Sequence, residues 1–239
     1  MHALDFKSSD NEFASGVVTG LTGDTVGTVA VWCRPETRHE GNVFFIGDSA
    51  VADEYFQIYV MDTGELRGYY WKSIGGAQWF IDLSAVAYDA GDLLHIVVVQ
   101  DGVEPVVWVN GIQPLQAVVA GGDKTLWFNG LVTPDVLSVG MARDSSPSRP
   151  FGGIIYDVSY WNAALTNAEI LEAQDRRPAS MIRPASLQRN FRFTEGTGTT
   201  VKDWANGHDL TLAADAAAPT WVPGLPWARR GAGGRRQFA

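Results

Sequence analysis

With 239 residues, 46% of them apolar and 19% charged, the chain can bury a full core, and one folded domain is expected. Arg229, Arg230, Arg235 and Arg236 give the last dozen residues +4 with no acid, so a net charge of −9 leaves −13 on the remainder. An acidic body of that kind repels nucleic acid and anionic membrane at long range, which argues against a nucleic-acid-binding role, and no apolar run reaches the roughly 18 residues of a membrane span.

The opening MHALDFKSSDN has no basic region and no long apolar run, so no secretory signal is read there. The expectation is a protein that stays in the cytosol or leaves by another route. The lone Cys33 excludes an intrachain disulfide. Ala3 to Phe6 is a short strand candidate, and Val29 to Cys33 reads as a buried strand stopped at Arg34-Pro35. Val43 to Ile46 ends at Gly47-Asp48. Tyr55 to Val60 alternates, with Phe56, Ile58 and Val60 on one face and Tyr55, Gln57 and Tyr59 on the other. Asp62 to Gly64 turns it into Glu65 to Lys72, and Gly75-Gly76 turns that into Gln78 to Leu83.

The most ordered stretch is Leu93 to Gly111. Two β-branched runs, Ile96 to Val99 and Val106 to Val109, flank Asp101 to Pro105, whose Asp-Gly pair accepts the positive φ of a tight turn. With so little polar alternation, this hairpin is expected centrally in a sheet covered on both faces. Thr125 to Asn129, Val136 to Val139 and Ile154 to Trp161 read as further strands. Thr166-Asn-Ala-Glu169 then has capping-box spacing for a short helix that buries Ile170, Leu171 and Ala173 and closes at Pro178.

Trp32 within TVAVWCRPE, His95, Asp101-Gly102, Trp108-Val-Asn-Gly111, Val139-Gly140, Pro150-Phe-Gly-Gly153, Ile155-Tyr-Asp157 and the run from Trp161 to Ile170 together resemble the laminin G-like (LamG-type) jelly roll. The resemblance implies an all-β, concanavalin A-like jelly-roll sandwich of two antiparallel sheets with one short helix. Asn190 to Asp203, Asn206 to Leu210 and Thr220 to Gly224 resemble the segment that normally opens such a domain, yet here they come last. We read this order as a circular permutation, in which strands around Phe191 to Phe193 and Leu210 to Leu212 return beside the N-terminal strand. The rival reading is a truncated second repeat. Residues 1–224 are thus expected to form a single jelly roll completed by about 187–224, followed by a basic flexible tail, 225–239.

Glucanases of this fold place paired acids along one strand face, and no Glu-x-Asp-x-Glu arrangement occurs here. No catalytic residue is assigned. Asp53 with Glu54 and Asp62 with Glu65 sit at turns, Cys33 lies in an apolar strand, and His2, His39, His95 and His208 lack metal-ligand spacing. No cofactor is expected. The resemblance keeps calcium as an option through the loop residues Asp48, Asp53, Asp144 and Asn129. The candidate ligand site is Arg67 to Trp79: Arg67, Tyr69 and Trp71 share one strand face, with Gln78 and Trp79 on the next strand, a stripe suited to stacking and hydrogen-bonding a sugar. Its alternative is a cross-strand core pair of Trp71 and Trp79.

The resemblance extends to structural or adhesion proteins of tailed bacteriophages. It implies a non-catalytic binding or structural module of a virion (capsid decoration, fibre or tail) that meets other virion proteins or itself and takes a glycan. A glucanase-type enzyme and a cytosolic carbohydrate-binding protein are the alternatives. In the tail, Trp227 and Phe238 bracket Arg229, Arg230, Arg235 and Arg236, a composition suited to a segment that orders on a partner.

Overall fold

The computed structural model describes residues 2–72, 76–83, 88–119, 121–214 and 217–224; the tail residues Trp227, Arg229, Arg230, Arg235, Arg236 and Phe238 lie outside them. The strands are His2–Phe6 (β1), Ala14–Val17 (β2), Gly27–Pro35 (β3), Gly41–Gly47 (β4), Tyr55–Val60 (β5), Leu66–Lys72 (β6), Gly76–Leu83 (β7), Leu94–Gln100 (β8), Pro105–Val109 (β9), Gln116–Val119 (β10), Val136–Val139 (β11), Gly153–Trp161 (β12), Leu187–Phe191 (β13), Thr200–Val201 (β14), Leu210–Leu212 (β15) and Thr220–Pro223 (β16). One helix, Asn167–Gln174 (α1), accompanies them among the described residues.

The strands form two antiparallel sheets. A seven-stranded sheet runs β16-β1-β12-β3-β8-β9 with β13 also on β12, and a nine-stranded sheet runs β10-β7-β6-β5-β4-β11-β2-β15-β14. The alternation expected for Tyr55 to Val60 orients its strand: Phe56 and Ile58 enter a core shared with Val29, Val31, Val98, Val158 and Tyr160 of the facing sheet. Two layers packed on their apolar faces make the β-sandwich that the resemblance implies.

Four expectations change in detail. Residues 125–129 do not form a strand. They belong to a loop ending in a 3-10 turn at Phe128–Gly130, and that loop inserts Trp127 and Phe128, both fully buried, into the core. Gly27 makes room for it, since a Cβ there would lie 2.4 Å from the Trp127 Nε1. The hairpin of β8 and β9 is at one end of its sheet, with β9 as the edge. Its apolar character has another cause: Val97, Val99 and Trp108 face away from the sandwich core and are covered by Trp161, Leu165, Ile170 and Ala173. In α1 the capping box forms, Thr166 N–H donating to Glu169 Oε2 at 2.7 Å, and Ile170 and Ala173 are buried, but Leu171 is left exposed. Finally, the strand beside β1 is β16, in the register Leu4↔Trp221, while β13 lies on β12 and β15 on β2.

The segment 187–224 therefore enters both sheets, and its polar contacts are specific. Asp203 is buried and accepts the N–H groups of Asn190, Ala205, Asn206 and His208. The Asn190 side chain donates to Ser159 Oγ at 3.0 Å and to Asp157 Oδ2 at 3.4 Å. Burial pushes the Asp157 carboxyl up to about 6, against the hydrogen bonds from Ser159 and Asn190 and the nearby Arg192 charge.

Deleting residues 187–224 should strip β12 and β2 of strand partners and expose sheet edge; the expected product is insoluble or melts without cooperativity, checked by solubility and a thermal unfolding scan. A second expectation concerns pH. Asp157 binds its proton more tightly folded than unfolded, so its contribution is complete below its unfolded value of 3.8 and lost as pH rises through about 6. Asp157→Asn should flatten the fall in stability between pH 4 and pH 7, gaining on the order of 2–3 kcal/mol at neutral pH, as measured by denaturant titration at both values.

Candidate functional site on the outer face of the nine-stranded sheet

Strands β5 and β6 pair in the register Tyr55↔Trp71, Gln57↔Tyr69 and Tyr59↔Arg67. Since side chains alternate along a strand, the same period that sends Phe56, Ile58 and Tyr70 into the core turns these six outward. The result is an aromatic strip. Phe45 lies 5.6 Å from Tyr55, Tyr55 lies 6.0 Å from Tyr69, and Tyr69 lies 5.7 Å from Trp71 and 5.8 Å from Phe80. Phe45 and Tyr55 are buried beneath Ala142, while Tyr69, Trp71 and Phe80 are half-exposed and form the accessible part.

Three of the five expected residues, Arg67, Tyr69 and Trp71, come together here. The other two do not. Pairing of β6 with β7 gives Tyr69↔Phe80 and Tyr70↔Trp79, then slips so that Trp71 faces Ala77 and Gln78 becomes the extra residue. Trp79 thus points inward, fully buried, and its Nε1 donates to the Leu126 carbonyl at 3.0 Å. It is not part of a surface platform, and its partner is Tyr70, stacked at 5.7 Å, not Trp71. The Gln78 amide is used locally: its Oε1 accepts Asp123 N–H at 3.2 Å and its Nε2 donates to the Gly76 carbonyl at 3.1 Å. Gln78 pins the 122–125 loop to β7 and offers the face little. Phe80 takes the position expected of Trp79.

Cationic and polar groups frame the strip. Arg67 Nη1 donates to Tyr59 Oη at 3.3 Å, and its guanidinium lies 5.0 Å from the centre of the Phe80 ring. The connection from β11 to β12, residues 140–152, crosses the same face: Ser138 Oγ donates to the Met141 carbonyl at 2.7 Å and Asn42 N–H to the Arg149 carbonyl at 2.8 Å. Arg149 takes the left-handed backbone conformation (φ 52) and sets its guanidinium 5.1 Å from the Tyr59 ring, with Nε 3.2 Å from Glu40 Oε2. Asn42, the cross-strand partner of Tyr59, donates its Nδ2 to Gln57 Oε1 at 2.8 Å. Burial pushes the Tyr55, Tyr59 and Tyr69 hydroxyls up, so at neutral pH they are uncharged donors and acceptors. Asp144 is also pushed up by burial, which the Ser146 N–H and Arg149 partly offset.

The alternation along Tyr55 to Val60 carries the signal for Tyr55, Gln57 and Tyr59. Nothing local marked Arg149, which arrives on a loop distant in sequence. The loop residues considered for calcium serve their own turns. Asp48 accepts Ala50 N–H at 2.7 Å and the Thr133 hydroxyl, Asn129 accepts Trp127 N–H at 3.3 Å, and Asp144 accepts Ser146 N–H at 2.9 Å, while Asp53 is exposed. Among the described residues no group of three or more His, Cys, Asp or Glu is placed to hold a metal ion. Glu54, beside Asp53, is buried with its carboxylate on the Val132 N–H, so these two acids do not share a surface. His95 stacks on Trp32 at 4.5 Å and burial lowers it to about 3; Cys33 is buried and its thiol pushed up.

The two tryptophans that the sequence grouped should separate on substitution. Trp79→Ala is expected to cost about 3–5 kcal/mol as a core truncation, and Trp71→Ala under about 1 kcal/mol as a change on the outer face, compared by denaturant unfolding.

A family profile of the concanavalin A-like lectin/glucanases superfamily, of laminin G type, matches residues 7–171. No curated protein matches the chain. Among solved structures, a candidate carbohydrate binding protein of Bacteroides ovatus is similar at 16% identity and TM-score 0.64 over 92% of this chain and 59% of that one. The CBM40 of the Ruminococcus gnavus IT-sialidase, bound to α2,3 sialyllactose, is similar at 13% identity and TM-score 0.60 over 73% and 98%. The NanB sialidase of Streptococcus pneumoniae is similar at 18% identity and TM-score 0.58 over 71% of this chain and 27% of its own. The chain thus spans 59% of the Bacteroides protein and a smaller part of the sialidase. At these identities the likeness establishes the fold.

Proposed function

The chain belongs to the concanavalin A-like lectin/glucanases superfamily, and from that premise we propose that it is a non-catalytic module that binds carbohydrate on the outer face of the nine-stranded sheet. The observation that carries this reading is the half-exposed strip of Tyr69, Trp71 and Phe80 beside Arg67. Sugar rings present C–H faces that stack on aromatics and hydroxyls that need donors and acceptors. The uncharged Tyr59 and Tyr69 hydroxyls supply both kinds, and the Arg67 guanidinium adds donors. Structural neighbours described as carbohydrate-binding support the ligand class.

The absence of a Glu-x-Asp-x-Glu strand and the separate surroundings of Asp53 and Glu54 favour binding over glucanase-type hydrolysis. The setting on a tailed-phage virion, with the arginine-rich tail 225–239 as its docking segment, is the finer part of the proposal and rests on the sequence resemblance.

Trp71→Ala should weaken binding to the preferred glycan about 10- to 100-fold, equivalent to about 1.4–2.8 kcal/mol, with little change in melting temperature; titration calorimetry and a thermal scan check both. Incubation with β-glucans and host polysaccharides should release no reducing sugar. Turnover abolished by Asp53→Ala with Glu54→Ala would reverse the non-catalytic assignment.

A further inference from the structure

The centre of the candidate face holds two polar atoms with nothing to bond. Asn42 and Gln57 are fully buried, and one amide hydrogen bond of 2.8 Å joins them, yet Asn42 Oδ1 and Gln57 Nε2 have no partner. Flipping both amides exchanges the roles and still leaves one donor and one acceptor, so the deficit does not depend on how oxygen and nitrogen are assigned. A buried amide group without a partner is costly, and native proteins rarely keep two side by side without a use. Both project from the outer face: Asn42 lies opposite Tyr59, and Gln57 lies between Phe45 and Tyr69 in the cross-strand row.

Beside them, on the cross-strand neighbour of Asn42, the Arg149 side chain is held lightly. The Arg149 guanidinium rests 5.1 Å over Tyr59 and pairs with Glu40, whose side chain is 47% exposed. Exposed ion pairs and cation–π contacts of this kind are weak ties. Its backbone, by contrast, is fixed in a left-handed conformation by the Asn42 N–H on its carbonyl. A side chain tied this loosely to a fixed backbone can change rotamer without unfolding the loop.

We propose that Asn42 and Gln57 are the hydroxyl-reading pair of the face, and that the Arg149 side chain covers them until a sugar displaces it. A sugar hydroxyl donates and accepts at once, and two neighbouring hydroxyls do so side by side; either completes the acceptor on Asn42 and the donor on Gln57. The inference rests on the carbohydrate-binding reading above and adds its specificity: the pair accepts a hydroxylated edge and rejects the same ring deoxygenated there, because the amides then stay unpaired. A trapped water is the competing occupant, and the experiment separates the two.

Wild type, Trp71→Ala, Arg149→Ala and the double variant Asn42→Leu with Gln57→Met are titrated with cellohexaose, laminarihexaose, mannohexaose, xylohexaose and 3′- and 6′-sialyllactose. The double variant is expected to melt no lower than wild type, since two orphaned polar atoms are replaced by apolar groups of similar size, and to bind at least tenfold more weakly. Arg149→Ala is expected to bind more tightly, and it carries the test alone if the double variant fails to fold. A double variant that binds like wild type, or an Arg149→Ala that binds equally or more weakly, overturns the inference while leaving the carbohydrate reading intact, provided Trp71→Ala weakens binding. If wild type binds none of the six sugars at millimolar concentration, both fall together.

Discussion

The sandwich is organised around the aromatic stack that the 121–131 loop completes between its sheets. Trp127 lies nearly parallel to Trp79 at 6.3 Å and to Phe128 at 4.7 Å, and Phe128 meets Tyr160 of the facing sheet at 4.8 Å. Large rings bury the most apolar area per residue, but their polar tips must be satisfied once water is excluded. They are: Trp79 Nε1 donates to the Leu126 carbonyl, Trp127 Nε1 to Tyr160 Oη, and Tyr160 Oη to Asp24. One loop thereby ties β7 in one sheet to β12 in the other. Burial of Tyr160 raises its hydroxyl far above the ordinary range, which keeps it a donor to the Asp24 carboxylate.

That stack determines what the other side of the sheet offers. Inserting Trp79 into it commits alternate residues of β7 inward, and the bulge at Gln78 shifts the register by one so that Phe80 and Trp71 stay outward. A one-residue slip reverses every face in a strand, so the period of two holds from Trp79 to Leu83 and fails when counted forward from Gly76 across the bulge. The accessible aromatics are therefore by-products of the core in position and its opposite in exposure. They stand on central strands whose backbones are hydrogen-bonded on both sides, which gives the face the preorganisation that binding benefits from.

Much of this was legible in the residues. Apolar alternation in Tyr55 to Val60, the Asp-Gly turn at 101–102 and the Thr166 capping box are local signals, and local physics fixes them. Three kinds of feature were not legible. The LWFN run at 126–129 has the composition of a strand, but its tryptophan and phenylalanine are drawn into the core as an irregular loop because tertiary packing outweighs propensity there. The hairpin of β8 and β9 looked central because a helix far along the chain supplies its second cover. Arg149 reaches the site only through the fold.

The same division explains how a site can change while its scaffold does not. Residues facing inward on β5 to β7 share one close-packed cluster, where truncating a large ring leaves a cavity and costs several kcal/mol. Their outward neighbours lean on one another and on a loop, and each such contact is worth about 1 kcal/mol or less. Substitution on the outer face therefore changes the chemistry of that surface long before it threatens folding. The exception is the amide pair of Asn42 and Gln57, which is as buried as the core yet polar and only partly hydrogen-bonded. A polar pair at a burial level where matched apolar groups would be nearly neutral or stabilising is the one feature of this face that packing alone does not account for.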